Sequence, residues 1–133
     1  MTANDASPGR VLYVEDNPGN VALMEDVFRL LAGTELQTAR SAEDGLALIS
    51  VNPPDLVLTD ITLPGMSGLD LMQLMKADPR TAAVPVVAIS ASAMPQDVQA
   101  GLEAGFQAYL TKPIDVIELM ALVRKVLRRD EQT

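Results

Sequence analysis

Four apolar runs in this sequence end in residues able to do chemistry. Val11-Leu12-Tyr13-Val14 leads into Glu15-Asp16, and Leu56-Val57-Leu58-Thr59 leads into Asp60. Val86-Val87-Ala88-Ile89 leads into Ser90, and Phe106–Leu110 into Thr111-Lys112. Three carboxylates gathered in one pocket would repel one another. A bound Mg²⁺ removes that conflict, because it takes one or two carboxylates and a carbonyl and keeps its waters. Lys112 adds a point cation and Ser90 a hydroxyl. Such a set around a divalent ion suits a phosphoryl group in transfer, where positioning and charge neutralisation do nearly all the work. Asp60 is the central group and the natural acceptor, a carboxylate nucleophile able to form an aspartyl phosphate. Taken singly, each residue has a plainer role. Acids suit the entry of a helix, an aspartate can cap a turn, and a strand-end serine or a solvated lysine is ordinary. The joint placement at four strand ends carries the expectation.

The composition excludes other chemistry. The chain has 133 residues, 48% of them apolar, with 10 basic and 18 acidic side chains and a net charge of −8. That length suits one domain with a real core. No Cys is present, hence no disulfide, thiolate or zinc ribbon; no His is present, hence no imidazole base, phosphohistidine or Ser-His-Asp triad. The acidic balance argues against nucleic acid, whose phosphates need clustered Lys and Arg. The one basic cluster, Arg124, Lys125, Arg128 and Arg129, completes the dipole of a last helix. No run approaches the ~20 apolar residues of a membrane span, and MTANDASPGR is no signal segment, so a soluble cytoplasmic protein is expected.

Positioning these residues requires an alternation of strands and helices. Residues 1–9 are expected as a loose tail, 10–129 as the domain and 130–133 as a short C-terminal tail. After the first strand, Asn17-Pro18 supplies a cap and a first-turn Pro. The helix that follows carries Leu23/Met24, Val27/Phe28 and Leu30/Leu31 at helical spacing, and Gly33 fits its C-cap. Glu35–Ala39 is a second strand and Ser41–Val51 a second helix, stopped by Asn52-Pro53-Pro54. Asp55–Asp60 is a third strand, apolar enough to be covered on both faces. Leu69–Ala77 is a third helix, Val84–Ile89 a fourth strand, Pro95–Ala104 a fourth helix stopped by Gly105. Phe106–Leu110 is a fifth strand and Asp115–Arg129 a fifth helix. Five strands alternating with five helices predict an α/β fold, a five-stranded parallel sheet between two helical layers. Order 2-1-3-4-5 leaves the second strand at an edge and brings the other four ends to one pocket; order 3-2-1-4-5 places Lys112 less favourably.

These segments, together with Pro64-Gly65-Met66-Ser67-Gly68, Ser90-Ala91 and Lys112-Pro113, resemble the receiver domain of two-component response regulators. The spacings of 44 residues from Asp16 to Asp60, 30 on to Ser90, and 52 from Asp60 to Lys112 are similar to those of the family. The resemblance spans about residues 10–129 and implies the flavodoxin-like (βα)5 sandwich in order 2-1-3-4-5, so the choice of order does not stand apart from it. It implies that Asp60 takes a phosphoryl group from a phosphohistidine on a histidine kinase or histidine phosphotransfer protein. Asp16, Asp60 and the carbonyl of Thr62 would ligate Mg²⁺, with Glu15 acting through water. Lys112 and Ser90 would hold phosphoryl oxygens, Lys112-Pro113 would be a cis peptide, and Tyr109 matches the switch aromatic. Glu15-Asp16 stands where Asp-Asp is common in the family, and Ser90 where Thr is commonest.

By the same resemblance the protein is expected to catalyse only its own phosphorylation and dephosphorylation. A downstream protein would dock on the face of the fourth helix, fifth strand and fifth helix. Ser90 would draw its loop inward, and Tyr109 would rotate into the space vacated under the fourth helix. Gly101, costing about 1 kcal/mol relative to Ala, makes that helix poorly held. Rival functions fit worse. An aspartate-nucleophile phosphatase of the haloacid dehalogenase type has a general acid where Thr62 stands. No Gly-rich nucleotide loop occurs, and a receiver that had lost phosphorylation would not keep the acid cluster. A stand-alone regulator is expected from the starting Met. The alternative is a receiver excised from a hybrid histidine kinase, which the Asn17-Pro18 pair resembles.

Overall fold

The computed structural model describes residues 9–127. Ten elements alternate along it: β1 (Gly9–Val14), α1 (Pro18–Arg29), β2 (Thr34–Ala39), α2 (Ala42–Val51), β3 (Leu56–Asp60), α3 (Gly68–Ala77), β4 (Val86–Ser90), α4 (Pro95–Ala104), β5 (Ala108–Thr111) and α5 (Val116–Leu127). The strands form one parallel sheet in the order β2-β1-β3-β4-β5. Both the α/β class and the order match the expectation. The N-terminal tail through residue 8, Arg128, Arg129 and the C-terminal tail lie outside the described residues, whereas Gly9 already pairs with Thr34 in β1.

Successive residues of a strand point to opposite faces, and the two faces bury separate cores. Val11, Tyr13, Leu56, Leu58, Val87 and Ile89 meet Met24, Val27 and Phe28 of α1 and Leu119, Val123 and Val126 of α5. Leu12, Val14, Val57, Val86 and Ala88 meet Ala42 and Ile49 of α2 and Leu71, Met72 and Met75 of α3. All five residues of β3 and all five of β4 are buried, as strands covered on both faces must be. Each large apolar side chain so buried contributes about 1.5–3 kcal/mol before entropy is subtracted. Helix starts are fixed by side chains: Asn17, Ser41 and Ser67 accept from the backbone N–H groups of Asn20, Asp44 and Asp70, and Asp70 completes a capping box.

Several boundaries differ from expectation by a residue, and three differ in ways that have a local cause. α1 ends at Arg29 with Leu30 still in right-handed conformation, and Gly33 at φ 80° turns the chain into β2 rather than capping the helix. β4 begins at Val86; Pro85 precedes it, and its carbonyl accepts from Val57 N–H. β5 begins at Ala108, because Phe106 N–H is spent on the carbonyl of Gly101 and its ring is buried beneath α4.

The turn that returns from β3 to α3 depends on Gly68. Its N–H donates to Ile61 O at 2.9 Å. A Cβ built there would stand 2.2 Å from the carbonyl oxygen of Asp60, which is backbone and cannot yield. Gly68→Ala is therefore expected to cost about 3 kcal/mol, the upper range of overpacking, and to lower the melting temperature by roughly 10 °C. Gly33→Ala, in open space at positive φ, should cost only about 1 kcal/mol. Thermal denaturation of the two variants checks this; a Gly68→Ala protein as stable as the parent contradicts the close approach.

Candidate functional site

The parallel register sets the site. Val14 pairs with Thr59, Asp60 with Ile89, and Ser90 with Thr111. Glu15, Asp60, Ser90 and Lys112 thus emerge side by side at the carboxyl edge of the sheet. One carboxylate oxygen from each of Glu15, Asp16 and Asp60 lies within 4.8 Å of the others. Asp16 is exposed, while Asp60 and Glu15 are buried, Glu15 to 1% exposure. Lys112 Nζ reaches across from the end of β5 and donates to Asp60 Oδ2 at 2.7 Å and to Glu15 Oε1 at 3.3 Å. The Lys112–Pro113 peptide is cis. Thr62 is exposed beyond β3, and its N–H donates to Asp60 Oδ1 at 3.1 Å.

Three carboxylates face one ammonium, a net deficit of positive charge. The donor set is all oxygen and fits a hard cation such as Mg²⁺. Burial alone would lower the pKa of Lys112, but the hydrogen bond and charge of Asp60, reinforced by Glu15, hold it above the usual lysine range. Glu15 is more fully engaged than its expected role implied. Tyr13 Oη donates to its Oε1 at 3.0 Å and Asn20 Nδ2 to the same oxygen at 3.2 Å, while Asn17 N–H donates to Oε2 at 3.2 Å. Tyr13 and Asn20 were missed in the sequence. The signal was present: a tyrosine inside a buried strand needs a partner for its hydroxyl, and the residue two places on shares its face. The far side of this group borders an apolar cavity of about 140 Å³ between α1 and α5, which offers little to a phosphoryl group.

The expected switch residues lie together beside the acids. Ser90 Oγ accepts from Ser92 N–H at 3.1 Å, and Tyr109 Oη donates to the Ser92 carbonyl at 3.1 Å. Ser92 Oγ in turn donates to Asp97 in the first turn of α4. The Tyr109 ring lies against α4 at Gly101. Gly101 is buried, and a Cβ on it would stand 3.0 Å from Tyr109 Cδ2. This corrects the reading of Gly101 as a mere weak point: its missing side chain makes room for the ring. It is also the one buried residue of α4, which is thinly attached for that reason.

The family model of the response regulator receiver domain matches residues 11–124. The chain is 40% identical over 129 residues to the DNA-binding response regulator MtrA of Mycolicibacterium smegmatis, covering 96% of this chain and 54% of that protein. The chain spans only 26–54% of the length of the curated relatives MtrA, RpaA and PleD. Among solved structures, one from Chloroflexus aurantiacus J-10-fl, described as a response regulator, superposes with a TM-score of 0.85 at 34% identity over 92% of this chain and all of that one. The receiver domain of the sensor histidine kinase PA1611 from Pseudomonas aeruginosa superposes with a TM-score of 0.82 at 27% identity, over 91% of this chain and 98% of that one. It has a magnesium ion coordinated in its active-site cleft.

The buried charge network sets an alkaline limit to stability. Burial first, then the charge and hydrogen bond of Glu15, then Asp60, push the Tyr13 phenol above its usual value near 10. Tyr13 and Lys112 therefore both keep their protons longer in the folded state. Above about pH 10 the folded protein binds more protons than the unfolded chain, so stability falls as pH rises; below that the contribution is fully present. Thermal unfolding between pH 8 and 11 is expected to show this fall, and Tyr13→Phe to show a shallower one. An equal slope in the variant overturns the assignment to Tyr13.

Proposed function

The chain belongs to the response regulator receiver domain family, and from that premise we propose that Asp60 accepts a phosphoryl group from a phosphohistidine on a histidine kinase or histidine phosphotransfer protein. One observation carries this: Asp60 ends the central strand β3, shares a cluster with Glu15 and Asp16, and has the shorter contact with Lys112, 2.7 Å against 3.3 Å for Glu15. These 133 residues contain no histidine, so the donor imidazole comes from outside them.

In the step, a carboxylate oxygen of Asp60 attacks phosphorus, the P–N bond breaks as the O–P bond forms, and the imidazole leaves. Lys112 neutralises charge on the phosphoryl oxygens. The Ser90 hydroxyl spends a lone pair on Ser92 N–H, which leaves its proton for a phosphoryl oxygen. Asp16, Asp60 and the carbonyl of Thr62 are the residues that would hold Mg²⁺, with Glu15 contributing through water. When bound, the ion neutralises the charge that develops on the transferring group. A donation from Ser90 draws on the Ser90–Ser92 loop, to which Tyr109 is already tied. The face of α4, β5 and α5 is therefore the surface on which the phosphorylated state is read by a downstream protein. In this reading the domain turns over no substrate other than its own phosphate. Among the described residues no helix is long and apolar enough to cross a membrane.

Incubation with a small acyl phosphate and Mg²⁺, followed by intact mass, should add one phosphoryl group to the parent and none to Asp60→Asn. Full labelling of that variant overturns the assignment. Lys112→Met leaves the buried Glu15 and Asp60 without their cation. It is expected to lose about 2 kcal/mol, less than a fully buried pair costs because the lysine is partly exposed. This gives Lys112 a share in stability as well as in phosphate handling. With its competitor gone, Mg²⁺ should bind more tightly and raise the melting temperature of the variant more than that of the parent. Equal shifts in a Mg²⁺ titration contradict the shared site.

A further inference from the structure

Three donors converge on a single oxygen, Glu15 Oε1: Tyr13 Oη at 3.0 Å, Asn20 Nδ2 at 3.2 Å and Lys112 Nζ at 3.3 Å. Tyr13 is fully buried and its strand is paired on both sides, so its hydroxyl occupies one place only. Tyr13 on β1 and Glu15, one residue past its end with its N–H still bonded to Ala39 O, stand two apart and so project from one face. The side chain of Glu15 is one methylene longer than that of an aspartate, and its Oε1 is the atom that meets all three donors. A buried carboxylate without such donors would be costly. Two of the three, Tyr13 on β1 and Asn20 on α1, hold the carboxylate from the side away from the lysine's own strand.

From this convergence we infer that Tyr13 is a positioning residue for Lys112, acting through Glu15. The inference rests on the proposed role of Asp60. Before phosphorylation Lys112 is shared between Asp60 and Glu15. Once Asp60 carries the phosphoryl group its carboxylate charge is gone, and Glu15 remains as the fixed anion that keeps the ammonium beside the phosphoryl oxygens. Tyr13 and Asn20 hold that anion in place by engaging its Oε1. Glu15 thus serves the lysine first, and Oε2, which also accepts from Asn17 N–H, is the oxygen left to face a cation through water.

The test uses the whole chain with Tyr13→Phe, which keeps the ring and removes one hydroxyl. Three measurements are made: the NMR signal of the Lys112 ammonium without metal, identified by its loss in Lys112→Met; the Mg²⁺ dissociation constant by calorimetry; and the rate of labelling by a small acyl phosphate. The expected result is a displaced Lys112 signal, labelling slowed three- to tenfold, and a Mg²⁺ constant within twofold of the parent. Because Tyr13 acts through Lys112, adding Tyr13→Phe to Lys112→Met should slow labelling no further. An unchanged Lys112 signal overturns the inference. So does a loss of equal size in the Lys112→Met background, which would mark a merely structural role. A weakening of Mg²⁺ binding in step with the rate would also overturn it, by making Glu15 first a metal residue. If Tyr13→Phe does not fold, Asn20→Ala removes another donor from the same oxygen and must displace the same signal. A parent protein that takes no phosphate on Asp60 would defeat the proposed function, while the metal-free Lys112 signal would still judge the link from Tyr13.

Discussion

The ammonium of Lys112 between two buried carboxylates is the constraint on which the rest of the carboxyl edge depends. Glu15 and Asp60 stand on neighbouring strands at the same level and would repel each other if left alone. The lysine resolves that conflict from the end of β5, on the far side of β4. The sheet must therefore be complete, from β1 to β5, before the acids are tolerable. Its register is what makes one lysine long enough to serve both. The geometry that stabilises the resting protein is also the one that presents a nucleophile, a cation and a hydroxyl to the same point in space.

Much of this was legible in the sequence because a parallel sheet writes itself plainly. Strands covered on both faces become short apolar runs, and β3 and β4 are buried at all five positions. Polar residues at the ends of such runs have only one side of the sheet to face, so Glu15, Asp16, Asp60 and Lys112 could be assembled without coordinates. The cis peptide after Lys112 was an expectation of family resemblance and is present. What escaped was whatever depends on close approach across elements. Gly101 looked like a defect in α4 until the Tyr109 ring was found against it. Gly33 looked like a helix cap, whereas the helix stops at Arg29. Tyr13 looked like one more apolar strand residue. Its hydroxyl has meaning only beside the oxygen of Glu15, and no periodicity announces a hydrogen bond.

The helices are held very differently. α1, α3 and α5 each bury three or more side chains in a core, whereas α4 buries only a glycine. Side chains that tie α4 to the rest pass through the loop at the end of β4. Asp97 takes the Ser92 hydroxyl, and Tyr109 takes the carbonyl of the same residue. A segment with few buried contacts opens at lower free energy than the core. The loop that follows Ser90 is thus joined to the least anchored helix of the molecule, and a change at the serine has somewhere to go.

The placement of Glu15, Asp60, Ser90 and Lys112 at or one step beyond a paired strand position has a consequence for how the molecule can fail. Side chains alternate across a strand, so a slip of one residue would send Glu15 to the opposite helical layer and turn Val14 toward the lysine. A pairing error in β1 therefore removes Glu15 from the carboxyl edge outright, taking from Lys112 one of its two anions at a stroke.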